Sequence, residues 1–504
     1  MRRSRAPASS RPERVFSAAV RSVLIWAPRI LLVLLLAVVA WHLALRLRLV
    51  TDPRVDLGGA EINTVYGAQK LLLGRPLYED PEMPPFDVMQ YAPAHYAMLD
   101  GLARSMGVGP EDSCGLFKIS RCLALLLNLL TCAVVFALCR AIGCPAWPSM
   151  AAAALTFTLY TEHFYGRGDA LYALLFTGAL LAYTRWMLSG DARVLLLAAL
   201  LSVCCVSAKQ TGALVIGIVL LDLLMSRAWR GARLFAAALV VLLGTGWLLL
   251  VSTGSATFFF KNTVQGLANG ISPSMHRELF DLVTYKYYAP FHLAVVFLLV
   301  RAIRSGDRLD RFLAVAMVLS LAFGLLTGLK SGSNLNYLFE AHMLAAIAAA
   351  RRLAGIGGWR AVVVLLFVLA FSTYRTRLLQ LRVGTEEERE RHATALHADL
   401  AVHDRLIREF GLKPEDWVLI TYRGHLELLL NGQGLLAQKD VIAWSVEEVY
   451  DRSVFLGMMD GGDVRCVISD APLDTLRLFG HAWALDPLLE EEGRYVLGIA
   501  QAGR

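Results

Sequence analysis

Apolar runs of about fifteen or more residues recur along this chain, separated by short basic turns, and few folds accommodate that pattern. A helix needs roughly 20 apolar residues to cross a ~30 Å hydrocarbon layer. The runs at 25–46, 118–140, 147–163, 170–188, 194–208, 211–225, 233–252, 289–303, 312–329, 337–350 and 360–376 predict an α-helical polytopic membrane protein. They correspond to about eleven transmembrane helices. The composition agrees, with 56% hydrophobic and 18% charged residues in 504. Soluble chains run roughly 45–50% apolar and about 25% charged. Disorder, a coiled coil and a single soluble domain are excluded, and eight cysteines are too sparse for a disulfide scaffold.

The formal charge of +7 is unevenly spread. Residues 385–504 hold 12 Lys+Arg against 22 Asp+Glu, and residues 1–384 hold 37 against 20. The basic excess lies in short turns between apolar runs, which is the signature of membrane orientation and not of nucleic-acid binding. With the Arg-rich N-terminus in the cytoplasm, five basic turns fall on the same side: Arg140, Arg185–Arg193, Arg227–Arg233, Arg301–Arg311 and Arg351–Arg360. The chain is thus expected to be a multi-pass membrane protein, with a cytoplasmic tail over 1–24, a transmembrane domain over 25–376, and residues 377–504 outside. The first apolar stretch ends in Leu45-Arg46-Leu47-Arg48 without an A-x-A-like site, so it is expected to be retained as a span. Keeping the Arg clusters on one side requires two short helices between Arg193 and Arg227, each ~22 Å long. They split at Ala208-Lys209-Gln210-Thr211-Gly212. Lys209 is then held at membrane depth, which is costly unless it faces a cavity or an anion.

Two outside segments are long. Residues 50–117 contain an amphipathic helix candidate from about Ala60 to Leu73, and residues 253–288 carry Phe258-Phe259-Phe260, suited to the interface. From Thr385 the pattern turns soluble. Thr385-x-x-Glu388 is a capping box for a helix ending near Phe410, with Gly411 as its C′ residue. Segments 418–421, 466–469 and 495–499 read as short buried strands with helices between them, one of them over Ser445 to Met459. These make a small α/β domain. No Gly-rich phosphate loop is present, and no Cys/His spacing predicts a metal site.

On the outside face several turns carry residues able to do chemistry. They are Asp56 and Glu61, then Arg167 and Asp169, then Lys209 and Gln210, then Lys330 with Asn334, Asn336, Tyr337 and Glu340. Acids and bases from separate turns on one face predict an outward-opening cavity. A buried carboxylate there can act as a general base, and Lys and Arg can hold a phosphate at the edge of the lipid. Each also has a purely structural reading: Asp56 or Glu61 as a helix cap, Arg167 and Asp169 as an interfacial ion pair, Lys209 snorkelling to a lipid phosphate, and the Asn and Tyr residues as interhelical bonds.

Asp56-(x)4-Glu61, the stretch Ala68-Gln69-Lys70-Leu71-Leu72-Leu73-Gly74-Arg75-Pro76-Leu77-Tyr78-Glu79-Asp80, and Tyr91-Ala92-Pro93 together resemble the first outside loop of bacterial GT-C membrane glycosyltransferases. That broad group includes the protein O-mannosyltransferases and the aminoarabinose lipid A transferase. Arg167-Gly168-Asp169 resembles a second-loop R-x-D, Lys209-Gln210-Thr211 a K-Q-T, and Gly332 to Tyr337 a stretch ending in N-Y. The resemblance covers about residues 25–376 and implies a place in a bacterial plasma (inner) membrane.

The resemblance implies an inverting glycosyltransferase that passes a sugar from a polyprenyl-phosphate donor to a hydroxyl of a glycan, lipid or protein acceptor. It implies Asp56 or Glu61 as the base, Asp169 as a second acid, and Arg167 and Lys209 as phosphate clamps, with Gln210, Lys330, Asn334, Asn336 and Tyr337 around the substrate. The adjacent acids frequent in the first loop stand five apart here, which leaves the base open between Asp56 and Glu61. No cofactor is firmly implied, and a divalent cation is left open because metal dependence varies in the superfamily. Two other readings compete. A lipid or polysaccharide transporter predicts inverted repeats with paired broken helices, whereas the one short pair, around Lys209, has no counterpart. A lipid-linked glycan ligase or polymerase usually carries its functional residues in a large late loop, whereas here they lie early.

Overall fold

A computed structural model describes residues 11–57, 61–159, 166–267, 307–330, 335–353, 359–435, 449–491 and 493–500, with isolated positions between 270 and 304; for 11–25 and 335–336 it describes the backbone alone. The expected span at 289–303, the start of the helix expected at Ser445, and Asn334 lie outside the described residues or nearly so.

The Leu-, Ala- and Val-rich runs form helices because a helix satisfies every backbone polar group internally, which the lipid interior demands. They are α1 (Arg11–Val50), α4 (Ser113–Ala141), α5 (Ala146–Leu159), α6 (Asp169–Ser189), α7 (Ala192–Ala208), α8 (Ala213–Met225) and α9 (Trp229–Ser252). After the short α10 (Phe259–Thr263) come α11 (Arg308–Thr327), α12 (Phe339–Leu353) and α13 (Trp359–Val383). Among the described residues six of these are long and apolar enough to cross a membrane, and α7 and α8 are shorter apolar helices. The bundle is therefore built as a multi-pass membrane protein. Local signals set the boundaries: Asp112, Asp191 and Asp307 cap α4, α7 and α11 through their carboxylates. The chain between α6 and α7 is so short that the two helices pack antiparallel. α6 lies between α4 and α7, and α1 packs along α13.

Two helices of the first loop, α2 (Glu61–Leu72) and α3 (Pro93–Ser105), sit over one end of the bundle. At the same end α14 (Glu386–Arg408) follows α13, and the expected capping box is present, with Glu388 N–H donating to Thr385 Oγ1 at 3.2 Å and Thr385 N–H to Glu388 Oε2 at 2.8 Å. Beyond it lies a six-stranded sheet: β1 (Trp417–Ile420), β2 (Gly434–Leu435), β3 (Val464–Ser469), β4 (Thr475–Leu478), β5 (His481–Glu491) and β6 (Arg494–Ile499). The order is β2-β1-β3-β6-β5-β4, parallel across β2, β1 and β3 and antiparallel beyond. A short α15 (Leu426–Leu429) follows β1, and α16 (Ser453–Gly461) precedes β3. The expected strands are β1, β3 and β6. Where a helix was expected between β3 and β6, the chain forms the β4–β5 hairpin instead, because its residues alternate buried and exposed with a strand's period of two.

The α/β unit does not stand apart from the first loop. Phe86 and Val88 of that loop are fully buried in one core with Leu419, Phe455, Val467 and Leu485. Polar bonds reinforce the contact. Gln69 Nε2 donates to the Leu428 carbonyl at 2.8 Å, and Asn431 Nδ2 donates to Gln69 Oε1 at 2.6 Å.

Candidate functional site

The loop before α6 has to fold tightly. Gly166 has φ +36°, and a Cβ on it would sit 2.2 Å from Ser120 Oγ and 3.0 Å from Glu61 Oε1. That close approach sets Arg167 and Asp169 at the head of α6. The second element is the break after α7, where Lys209 is extended (φ −157°, ψ 138°) before a single 3-10 turn leads into α8. Gly212 permits it, since a Cβ there would meet the Cys205 backbone at 2.4 Å.

The two elements meet through charge. Lys209 Nζ donates to Asp169 Oδ1 at 2.7 Å, and Arg167 Nε lies 3.5 Å from Asp169 Oδ2. Arg167 Nη2 donates to Tyr91 Oη at 3.2 Å. The Lys209 ammonium stands 5.1 Å from the centroid of the Tyr337 ring and 5.9 Å from that of Tyr172, within cation–π range. Lys209 and Asp169 are each 6% exposed. Gln210 secures the break, its Nε2 donating to the carbonyls of Gln90 at 2.7 Å and Thr263 at 3.3 Å. Lys330 supplies another cation. Burial and the charge of Lys209 push its ammonium down to about 8. Glu340, buried at the start of α12, brings a second carboxylate within electrostatic reach of Lys209 and Asp169. Three cations thus face two carboxylates, a balance that leaves charge for an anion.

The first-loop acids are engaged elsewhere. Glu61 is fully buried in a bidentate pair with Arg121, Nε to Oε1 at 2.8 Å and Nη2 to Oε2 at 3.0 Å. Its Oε2 also accepts the Leu57 N–H at 3.2 Å. Arg121 in turn donates to the carbonyls of Asp52 and Arg54, both at 2.6 Å, and so clamps the segment entering α2. Burial pushes the Glu61 carboxyl upward, against the pull of Arg121. Asp56 turns to the α/β unit: its Oδ2 accepts from Arg423 Nη1 at 3.1 Å while its Oδ1 accepts the Glu61 N–H at 3.3 Å. Asp169, Arg167, Lys209, Lys330 and Tyr337 therefore gather. Glu61 adjoins them across Gly166, and Asp56 faces away to Arg423. Asn334 and the side chain of Asn336 lie outside the described residues. Among the described residues no three His, Cys, Asp or Glu side chains group as metal ligands.

Sequence reasoning missed Arg121, His95 and the part played by Tyr91. Arg121 carried a signal, being a charge inside the apolar run 118–140, where an ionisable residue needs a partner. His95 is buried against Gly168, and burial pushes its imidazole down to about 4, so it stands neutral.

Beside the cations lies an apolar groove of about 460 Å3. Val206 and Ser207 of α7, Trp247 and Leu250 of α9, and Ala92 and Pro93 line it. Ser207 is two residues from Lys209, and Ala92 follows Tyr91, so the groove is lined by chain neighbours of the charged cluster. α9 is only lightly covered, with Val240, Leu248 and Leu249 more than half exposed.

No family model matches the chain, and no curated protein sequence does. Solved structures match in fold. The crystal structure of ArnT from Cupriavidus metallidurans bound to undecaprenyl phosphate superposes with a TM-score of 0.59 at 14% identity, covering 93% of this chain and 98% of that one. The same enzyme in the apo state gives 0.59 at 15% identity over 92% and 97%. The Archaeoglobus fulgidus oligosaccharyltransferase, in complex with Zn and sulfate, gives 0.54 at 12% identity over 88% of this chain and 68% of that one. The chain has the fold of these membrane proteins, as the sequence resemblance implied.

Proposed function

We propose that this protein is a membrane glycosyltransferase that takes a sugar from a polyprenyl-phosphate donor and passes it, with inversion, to an acceptor hydroxyl. The observation that carries the reading is the gathering of Arg167 and Lys209 on Asp169, with Lys330 within reach of Lys209's charge, together with an apolar groove lined by chain neighbours of that cluster, since an amphiphile with a phosphate head and an isoprenoid tail suits the two. The fold shared with an ArnT structure that holds undecaprenyl phosphate supports the same donor class.

In this reading the tail lies along α7 and α9, and the phosphate meets Arg167 and Lys209. Both cations now hold Asp169. A phosphate competes for them and loosens that hold, so the carboxylate gains basicity when the donor is in position. Asp169 then takes the acceptor hydroxyl proton as its oxygen attacks the anomeric carbon from the side opposite the phosphate. The carbon–oxygen bond to phosphate breaks, and the three cations hold the charge left on the polyprenyl phosphate. Glu61, expected as an alternative base, has both oxygens occupied, and we assign it, with Arg121, to framing the first loop. Asp56, the other expected base, we assign to seating the α/β unit.

The test is a panel of radiolabelled polyprenyl-phosphate sugars and candidate acceptors with the purified protein and Lys209→Ala. Label transfer by the wild type and loss of donor binding in the variant are expected; donor binding equal in both rejects the clamp. The likeness to the oligosaccharyltransferase favours a second reading, transfer of a larger glycan, which lipid-linked oligosaccharides in the same panel separate from the first.

A further inference from the structure

A second cavity, of about 340 Å3, opens where α1 ends at Val50, α13 ends at Val383 and α14 begins. It lies at the low end of the roughly 300–1,000 Å3 typical of small-molecule sites, room for a head group and not for a lipid-linked sugar. Leu49, Leu57 and Leu381 line one side. Leu381 is 78% exposed at the last turns of a spanning helix, so acyl chains and not water are its natural neighbours.

The other side is polar, with Arg54, Arg382, Glu388 and His392. Arg54 is fixed in advance: its Nε and Nη2 donate to Asp52 at 2.8 and 2.6 Å, and Nη2 also reaches the Arg382 carbonyl at 3.2 Å. The charges decide the class of ligand. Arg54 already holds Asp52 behind the lining, and the lining adds Arg382 and Glu388, so with Asp52 counted the site has two charges of each sign and no formal excess. A net anion gains little in such a site, whereas a molecule carrying a phosphate and an ammonium a few atoms apart finds a partner for each.

We propose that this cavity binds the head group of a zwitterionic aminophospholipid, its phosphate against Arg54 and Arg382 and its ammonium against Glu388, with the acyl chains leaving past Leu381. The site is separate from the transfer chamber. It touches that chamber's frame, because the Arg54 carbonyl accepts from Arg121, which holds Glu61.

The experiment is native mass spectrometry of the purified full chain with dioleoyl phosphatidylethanolamine or phosphatidylglycerol added, for wild type, Arg382→Ala and Glu388→Gln. Glutamine keeps the capping box at the start of α14, so the second variant removes charge without removing the helix start. Unchanged melting temperatures show that both variants fold. Each variant is expected to lower phosphatidylethanolamine retention about tenfold, the scale of one charge-assisted bond. Phosphatidylglycerol is expected to bind more weakly and to ignore Glu388→Gln. Equal phosphatidylethanolamine retention in all three proteins overturns the proposal. So does stronger retention of phosphatidylglycerol that only Arg382→Ala removes, which marks a plain anion site. Displacement of the lipid by millimolar inorganic phosphate overturns it as well, in favour of a soluble ligand.

Discussion

Lys209 Nζ donates a 2.7 Å hydrogen bond to Asp169 Oδ1, joining the break after α7 to the first residue of α6. Both side chains are 8% exposed, so each neutralises a charge that the other could not shed to water. Removing one partner of such a pair costs about 3–5 kcal/mol, largely because the survivor is left charged and uncompensated. Lys209→Ala is therefore expected to lower the melting temperature sharply. Lys209→Ala combined with Asp169→Asn should recover much of that loss without recovering donor binding. Thermal unfolding in detergent, paired with a binding assay, checks both halves.

Lys330 gives the site a pH dependence of known sign. Burial and the charge of Lys209 lower its pKa to about 8. It is charged below that value and neutral above it. A polyprenyl-phosphate sugar is a phosphodiester and stays anionic over the range, so the change belongs to the protein. Donor affinity is expected to hold up to pH 7 and then to fall by up to about tenfold by pH 9 as the ammonium is lost. Lys330→Arg, whose guanidinium does not titrate there, should flatten the profile. A flat wild-type profile would remove Lys330 from the clamp.

The shared core of the first loop and the α/β unit makes the C-terminal region a structural part of the molecule. Deleting residues 385–504 strips the cover from Phe86 and Val88. The truncated chain is expected to aggregate, so transfer assays on it report misfolding. Point substitutions are the better probe. Phe86→Ala should destabilise by about 3–5 kcal/mol, whereas Arg423→Ala, which breaks a part-exposed pair with Asp56, should cost less than about 1 kcal/mol. Melting curves of the two variants side by side test the contrast.

Much of this was legible in the sequence, for reasons that differ by residue. The break at Lys209 showed because two apolar halves of about fifteen residues fit the charge pattern only as separate helices. The capping box at Thr385 showed because its four residues are contiguous. The partners of the acids did not show. Arg121 lies 60 residues from Glu61, and Arg423 lies 367 from Asp56, so no local rule links them. The β4–β5 hairpin also escaped, since its strands are largely solvent-facing and carry no apolar run, and Pro487 interrupts the pattern where the ladder shifts register. Asp169 was read as a second acid behind the first-loop pair. Only the three-dimensional meeting of α6 with the α7–α8 break brings it to the centre of the cations.

The central claim is that Asp169 takes the acceptor proton while the cations around it hold the donor phosphate. Single-turnover transfer by Asp169→Asn, measured beside donor binding, tests it most directly. The amide retains the shape, cannot accept the proton and no longer competes with the phosphate for Arg167 and Lys209, so donor affinity should hold or rise while the transfer rate falls by about 10²–10⁴. A transfer rate within about threefold of wild type, with the variant folded and donor bound, would contradict it.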